Sequence, residues 1–235
     1  MARTKAADHE QQRDRILNAA VNAFANVGYP SASMSGLAKL CGISKAGLYH
    51  YYASKEALLF DALDRYTRRL LGLAKSVCQV EQPAAQILRA LIRAFMAEYQ
   101  SAQAYHVALL NDVKFLAEPE RLTIRSQERA VVQVFSEQIA AAYPFRANDS
   151  RLMPTTMALL GMINFTFAWL DPKGPLDNRQ FADLAIALWE NGLNSLVQPA
   201  GQELHSVQAL PGLQDLLSAQ ALPRSTIENP KSKVS

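Results

Sequence analysis

The sequence predicts an all-α fold of about nine helices, and three observations lead there. Apolar residues recur at three- and four-residue spacing from near the N-terminus to about residue 197, the period of helices packed on one side. No segment alternates apolar and polar residues with the β-branched enrichment of a strand. Pro, Gly or Ser/Asp/Asn clusters punctuate the periodic stretches at helix-length intervals. With 235 residues, 49% hydrophobic and 19% charged, the chain is long enough to bury a core unaided by disulfides or metal.

Asp8, with Gln11 three residues on, reads as the cap of the first helix, whose inner face carries Ile16, Ala20, Ala23, Phe24 and Val27. Gly28 and the Tyr29-Pro30 step close it. A short helix follows from Ser33 to about Leu40, then a tight Cys41-Gly42-Ile43 turn, then a second short helix from Ser44. Gly42 stands where so sharp a turn needs positive φ. Ala38 is small at the expected crossing, and Leu37, Leu40, Ile43 and Leu48 are placed to fill the space between the two helices. Ser54 caps a longer helix bearing Leu58, Ala62, Leu63, Tyr66 and Leu70; Pro83 opens the next, with Ile87, Leu91, Phe95 and Tyr99 inward. Further helices are expected at about 103–116, 119–143, 150–170 and 178–197. From Gln198 the composition turns to Pro, Gly, Ser and Gln, which predicts a variable, partly disordered tail over 198–235 with a short helix near 213–222.

Two cysteines, Cys41 and Cys78, form no CxxC pair and lie near no histidine ladder, which argues against a zinc site or disulfide framework and suits a reducing cytoplasm. The first fifteen residues are too polar for a signal peptide, and the longest apolar stretch, Leu152–Leu170, holds Pro154, Asn164 and three threonines, a poor membrane span. GxSxG, HExxH, GxGxxG and GxxxxGK[ST] are all missing, and His9, His50, His106 and His205 are scattered; no catalytic residue, metal or cofactor is expected. The net charge of +3 is unevenly placed. Residues 1–52 hold six basic groups against three acids, while the remainder is balanced at 18 of each. A basic end suits an anionic partner, nucleic acid above all, although a solvated basic tail has the same composition.

Residues 33–52, SMSGLAKLCGISKAGLYHYY, have the helix-turn-helix design, in which the second helix offers its first turns to the major groove. Ser44, Lys45, Gly47, Tyr49 and His50 cluster on that helix, and Lys55 follows. Serine and lysine beside free backbone N–H groups suit phosphate, glycine permits close approach, and tyrosine or histidine can donate to phosphate or a base edge. Tyr52 suits core packing instead. The longer run GYPSASMSGLAKLCGISKAGLYHYYASKEALL resembles the N-terminal signature of the TetR family of transcriptional regulators over about 45 residues, with Tyr52 where Phe is more usual and Cys41 at a variable small position. The resemblance implies DNA contacts by Ser33, Lys45, Gly47, Tyr49, His50 and Lys55, with Lys45 and His50 near base edges and Ser33, Tyr49 and Lys55 on phosphates.

It further implies that residues 1–53 form a DNA-binding unit and 54–197 a domain that binds a small molecule and dimerises. The stretch Arg151–Leu170 is apolar nearly all round, and a helix apolar on every face must be covered on every side. Met157, Leu160, Phe165 and Trp169, with Phe181, Leu188 and Trp189 on the last helix, are therefore expected to bury one another across a homodimer axis; the alternative is the chain's own core. Phe60, Tyr66, Phe95, Tyr99 and His106 are candidates for a pocket holding a small hydrophobic effector, with Asn111 as a further polar anchor, though helical spacing also suits plain core. An acyl-CoA thioester is a specific alternative. The implied mechanism is a repressor dimer on a palindromic double-stranded operator, released by ligand. A helical ligand carrier without DNA activity should show a broken recognition helix, and an all-α enzyme should show converging acid/base pairs; neither pattern is present.

Overall fold

Serine hydroxyls set the starts of three successive helices in the computed structural model, which describes residues 2–143, 149–171 and 173–197, with side chains for 7–143, 149–171 and 173–193. Ser33 accepts from Gly36 N (3.1 Å), Ser44 from Gly47 N (2.9 Å) and Ser54 from Ala57 N (3.1 Å). Each satisfies one of the N–H groups a helix start leaves open. They begin α2 (Met34–Leu40), α3 (Lys45–Tyr51) and α4 (Lys55–Cys78).

Helix α1 spans Ala2–Val27, so Asp8 lies inside it and not at its cap. The residues before Asp8 include Ala, Arg and Lys and contain no Gly or Pro, so helix propensity extends the first turn outward. Gly28 ends α1 at φ 81°. Gly42 ends α2 at φ 65°, and the bonds Ile43 N to Ala38 O and Gly42 N to Lys39 O, both 3.1 Å, complete a Schellman turn. Leu37, Ala38 and Leu48 are buried between the two short helices. Leu40 is not: it is 66% exposed, because Cys41, four residues after Leu37, takes the inward position. Val27, in the last turn of α1, is also exposed.

The remaining helices are α5 (Ala84–Ser101), α6 (Gln103–Asp112), α7 (Glu118–Ala142), α8 (Leu152–Asn164) and α9 (Asn178–Val197). That makes nine α-helices and no strand among the described residues. Helix α4 is the hub, packing on α1, α5, α6 and α7. Phe95 of α5 meets Phe135 of α7 edge to face at 4.9 Å, both fully buried. Outside, α5 is fastened to α9 by Arg89, which donates two 2.8 Å bonds to Glu190, and by Arg93 to Asp183 (2.7 Å).

The stretch expected as one helix over 150–170 stops being α-helical at Asn164 and continues as a 3₁₀ turn, Phe165–Ala168. A continued α-helix would give the Asn164 carbonyl to residue 168; here it faces His106 Nε2 at 3.0 Å. No described helix is long and apolar enough to cross a membrane. The expectations for residues 198–235 lie outside the described residues.

Candidate nucleic-acid interface and apolar cavity

Four of the residues singled out on the N-terminal helices meet around one surface concavity, which Ser44, Gly47 and His50 do not border. A concavity of about 450 Å³ is bordered by Ser33, Lys45, Tyr49 and Lys55. Ser33, Ser44, Lys45, Tyr49 and His50 are exposed. In capping their helices, Ser33 and Ser44 accept a bond, which leaves each hydroxyl hydrogen free to donate outward. Lys45 Nζ stands 5.9 Å from the Tyr49 ring centre. Gly47 lies on the cap of α3: a Cβ there would come within 3.2 Å of Ser44 Oγ, so glycine preserves the cap as well as the open approach.

Lys55 differs from the expectation. Its ammonium donates to the carbonyls of Tyr29 (2.8 Å), Ala32 (2.9 Å) and Pro30 (3.4 Å) and lies 4.2 Å over the Tyr29 ring. An ammonium has three N–H groups, and all three face the chain after α1. That geometry favours a clamp on the α1–α2 connection over a phosphate ligand. Sequence reasoning passed over His9, which stacks on Tyr51 at 4.7 Å with the His50 ring edge-on at 6.5 Å.

The recognition helix is tied to α4 through one carboxylate. Tyr52 OH donates to Asp61 Oδ2 (2.6 Å), Arg13 to the same oxygen (2.8 Å) and Arg65 Nε to Oδ1 (3.0 Å). Burial alone would raise the Asp61 pKa, but the Tyr52 bond and the arginines outweigh it and hold the carboxyl below its ordinary value. Tyr52 is buried, as expected for core. A second route runs through α6: Phe115, just beyond it, stacks on Tyr29 at 4.8 Å, and Tyr105 OH donates to Asn18 at 2.9 Å.

Helices α4 to α8 line a cavity of about 730 Å³ that opens to solvent past Leu110, Met153 and Met157. Phe95, Tyr99 and His106 line it as expected, while Phe60 and Tyr66 do not. Phe60 is partly buried against the core, and Tyr66 borders a separate surface hollow with Arg65, Arg69 and Tyr105. Asn111 is exposed on the other side of α6. The cavity wall instead draws Asn164 from α8, Thr67 and Leu70 from α4, and Arg125, Glu128 and Arg129 from α7. Their spacing at i, i+3 and i+4 beside Val131 and Val132 was the available signal, and it resembles that of a solvated charged face. Burial raises the Glu128 pKa, with Arg125 opposing.

The expected dimer residues divide. Met157, Phe165, Trp169 and Leu188 are 52–61% exposed, an apolar face on α8, its 3₁₀ turn and α9 that Met153 and Leu184 extend. Leu160, Phe181 and Trp189 are buried within the chain itself, Trp189 against Tyr143 and Phe181 against Trp169. Met157 and Leu160 also line the cavity.

A helix-turn-helix with an exposed polar recognition face, carried on an all-α frame with an apolar cavity, is the architecture of a DNA-binding regulator. The family model described as "Bacterial regulatory proteins, tetR family" matches residues 16–62, and "Tetracyclin repressor-like, C-terminal domain" matches residues 81–193. The chain belongs to the TetR family of transcriptional regulators. It is 24% identical to the transcriptional activator FasR of Mycolicibacterium smegmatis over 188 residues, 79% of this chain and 84% of that one. Over 47 residues, 20% of this chain and 24% of the relative, it is 53% identical to the regulator UidR of Escherichia coli. Among solved structures, a TetR-family regulator from Bordetella parapertussis superposes with TM-score 0.73 at 28% identity, covering 77% of this chain and 96% of that one. AibR in complex with isovaleryl coenzyme A and operator DNA gives TM-score 0.68 at 25% identity, covering 75% and 97%.

Proposed function

We propose that this regulator is a cytoplasmic homodimeric repressor that binds a palindromic operator and leaves it when a small hydrophobic effector enters the α4–α8 cavity. In this reading residues 1–53 are the DNA-binding unit and 54–197 the effector and dimerisation domain. Lys45 and His50 reach base edges, while Ser33, Ser44 and Tyr49 hold phosphates, with Gly47 allowing the approach. Met157, Phe165, Trp169 and Leu188 form the subunit contact, since an exposed apolar face of this kind marks an interaction site.

One observation carries the mechanism. Thr67 and Leu70 of α4 line the cavity, and Asp61, on the same helix, holds Arg13 and Tyr52 of the head. A ligand that fits the cavity better in one disposition of α4 shifts the head toward that disposition, and linkage makes the effect reciprocal. Repression relieved by ligand is the proposed sign; FasR is named an activator, and an operator-fused reporter with and without effector distinguishes the two.

A second reading has its own support. Arg125 and Arg129 on the cavity wall suit the phosphates of an acyl-CoA thioester, the ligand class seen in the AibR complex. The test of the main reading is selection of bound sequences from random duplex DNA, with Lys45→Ala as control. One palindromic site, lost in the variant, is expected; no enrichment by the wild-type protein at low salt, even after unfolding and refolding to strip bound ligand, refutes it.

A further inference from the structure

The two flanks of α3 carry different side chains. At about 100° per residue, Lys45 and Tyr49 share one flank of the helix, while Gly47 and Tyr51 share the other. Buried Leu48 points between them into the head, and exposed Ala46 and His50 point away from it. A major groove about 12 Å wide takes a helix about 10–12 Å across, so a helix laid in it meets a phosphate backbone on either side. Those two backbones belong to opposite strands. The phosphate contacts proposed for Ser33 and Tyr49 serve only the flank of Lys45, where the concavity lies. On the other flank, His9 of α1 stacks on Tyr51 with ring centres 4.7 Å apart, and the His50 ring stands edge-on to both, at 6.5 and 5.6 Å.

His9 is exposed and Tyr51 half-buried. Among the described residues, neither the His9 ring nor the Tyr51 hydroxyl has a hydrogen-bond partner. An imidazole carries at least one N–H in either protonation state, and a phenol carries an O–H. Gly47, one turn before Tyr51, adds no side chain that would hold a backbone away from this flank. The stack fixes the histidine ring before any partner arrives, so docking has little left to order. Of the neighbouring acids, Glu10 is turned to Arg65 at 2.6 Å, and Asp8 lies about 100° round α1.

We propose that His9 is an operator contact: it donates to a phosphate of the strand across the major groove from the one that Tyr49 holds, with Tyr51 as the platform that aims it. This rests on α3 being the helix that enters the groove. Held on both flanks, α3 has its depth and tilt fixed. The His9 contact carries no base information, because every nucleotide presents the same phosphate.

The test uses full-length protein and the site recovered by selection from random duplex DNA. His9→Phe keeps a ring against Tyr51 and removes the donor; the residue is exposed, so the change leaves the core intact. Gel-shift titration is expected to show about tenfold weaker binding, by the same factor for the selected site and for its single-base variants. Duplexes carrying one uncharged methylphosphonate at a time then locate the partner. One phosphate should weaken wild type when neutralised and leave His9→Phe unaffected, and it should lie on the strand opposite the phosphate that Tyr49→Phe identifies in the same way. Wild-type affinity in His9→Phe, or a partner phosphate on the Tyr49 strand, overturns the inference, while loss of the site in Lys45→Ala keeps α3 as the recognition helix. A loss that varies with base sequence overturns the phosphate assignment. Recovery of no site by the wild-type protein overturns both the inference and the reading beneath it.

Discussion

Replacing Tyr52 by phenylalanine removes one hydroxyl from the junction of α3 and α4 and leaves the ring in place. The hydroxyl lies 2.6 Å from Asp61 Oδ2, on a residue 4% exposed. A hydrogen bond to a charged group contributes about 1.5–3 kcal/mol. Asp61 keeps Arg13 and Arg65 in the variant, and its side chain is 19% exposed, so the lower end applies and a loss of about 1.5 kcal/mol is expected. For a chain of this size that lowers Tm by roughly 3–6 °C. Urea unfolding of wild type, Tyr52→Phe, Asp61→Asn and the double variant completes a thermodynamic cycle, and a coupling of about 1 kcal/mol is expected for residues in one network. The pH dependence has a definite sign. Asp61 has a depressed pKa in the folded state, so its contribution is full above the unfolded carboxylate value, about 3.9, and is lost as pH falls through the folded one. The Tyr52→Phe penalty should therefore be constant near neutrality and shrink in acid. A penalty below about 0.5 kcal/mol, or strict additivity with Asp61→Asn, refutes the tie.

Three further outcomes are expected. Gly42→Ala, forced to φ 65°, should cost about 1–2 kcal/mol in the same urea assay, and an unchanged midpoint would count against the turn geometry. His106→Phe should flatten the stability profile in acid: the folded pKa is about 4 against 6.5 in the reference state, so wild type loses about 3 kcal/mol as pH falls from the upper value through the lower, and the variant should lack that loss. Leu188→Glu, at a site 59% exposed, should leave monomer stability within about 0.5 kcal/mol yet shift sedimentation toward monomer; undisturbed sedimentation would remove the α8–α9 face as the subunit contact.

The nine helices were legible because each announces itself locally, through a serine cap, a glycine stop or a periodic stripe. The serines at 33, 44 and 54 and the glycines at 28 and 42 do in the structure what their chemistry implies. Asp8 failed as a cap because capping competes with propensity, and nothing before it breaks a helix. The end of α8 was illegible for another reason: the Asn164 carbonyl faces a histidine 58 positions earlier, and no local pattern encodes that meeting. Long-range pairing also explains Lys55, whose acceptors lie 23 to 26 positions away. For the cavity, periodicity identifies inward faces but not which gaps stay unfilled, so Tyr66 and Phe60 were indistinguishable from Phe95. The charged wall of α7 was missed because a charged stripe facing a cavity has the same spacing as one facing water.

Two supports rise from the cavity wall to the DNA-binding head, one along α4 to Asp61 and one along α6 to the Phe115–Tyr29 stack. The head thus rests on two neighbouring helices at once, and Tyr105 on Asn18 adds a third tie. In the proposed reading, a guest that displaces Leu70 and one that displaces His106 reach the head along different helices, so one fold can answer two guests differently.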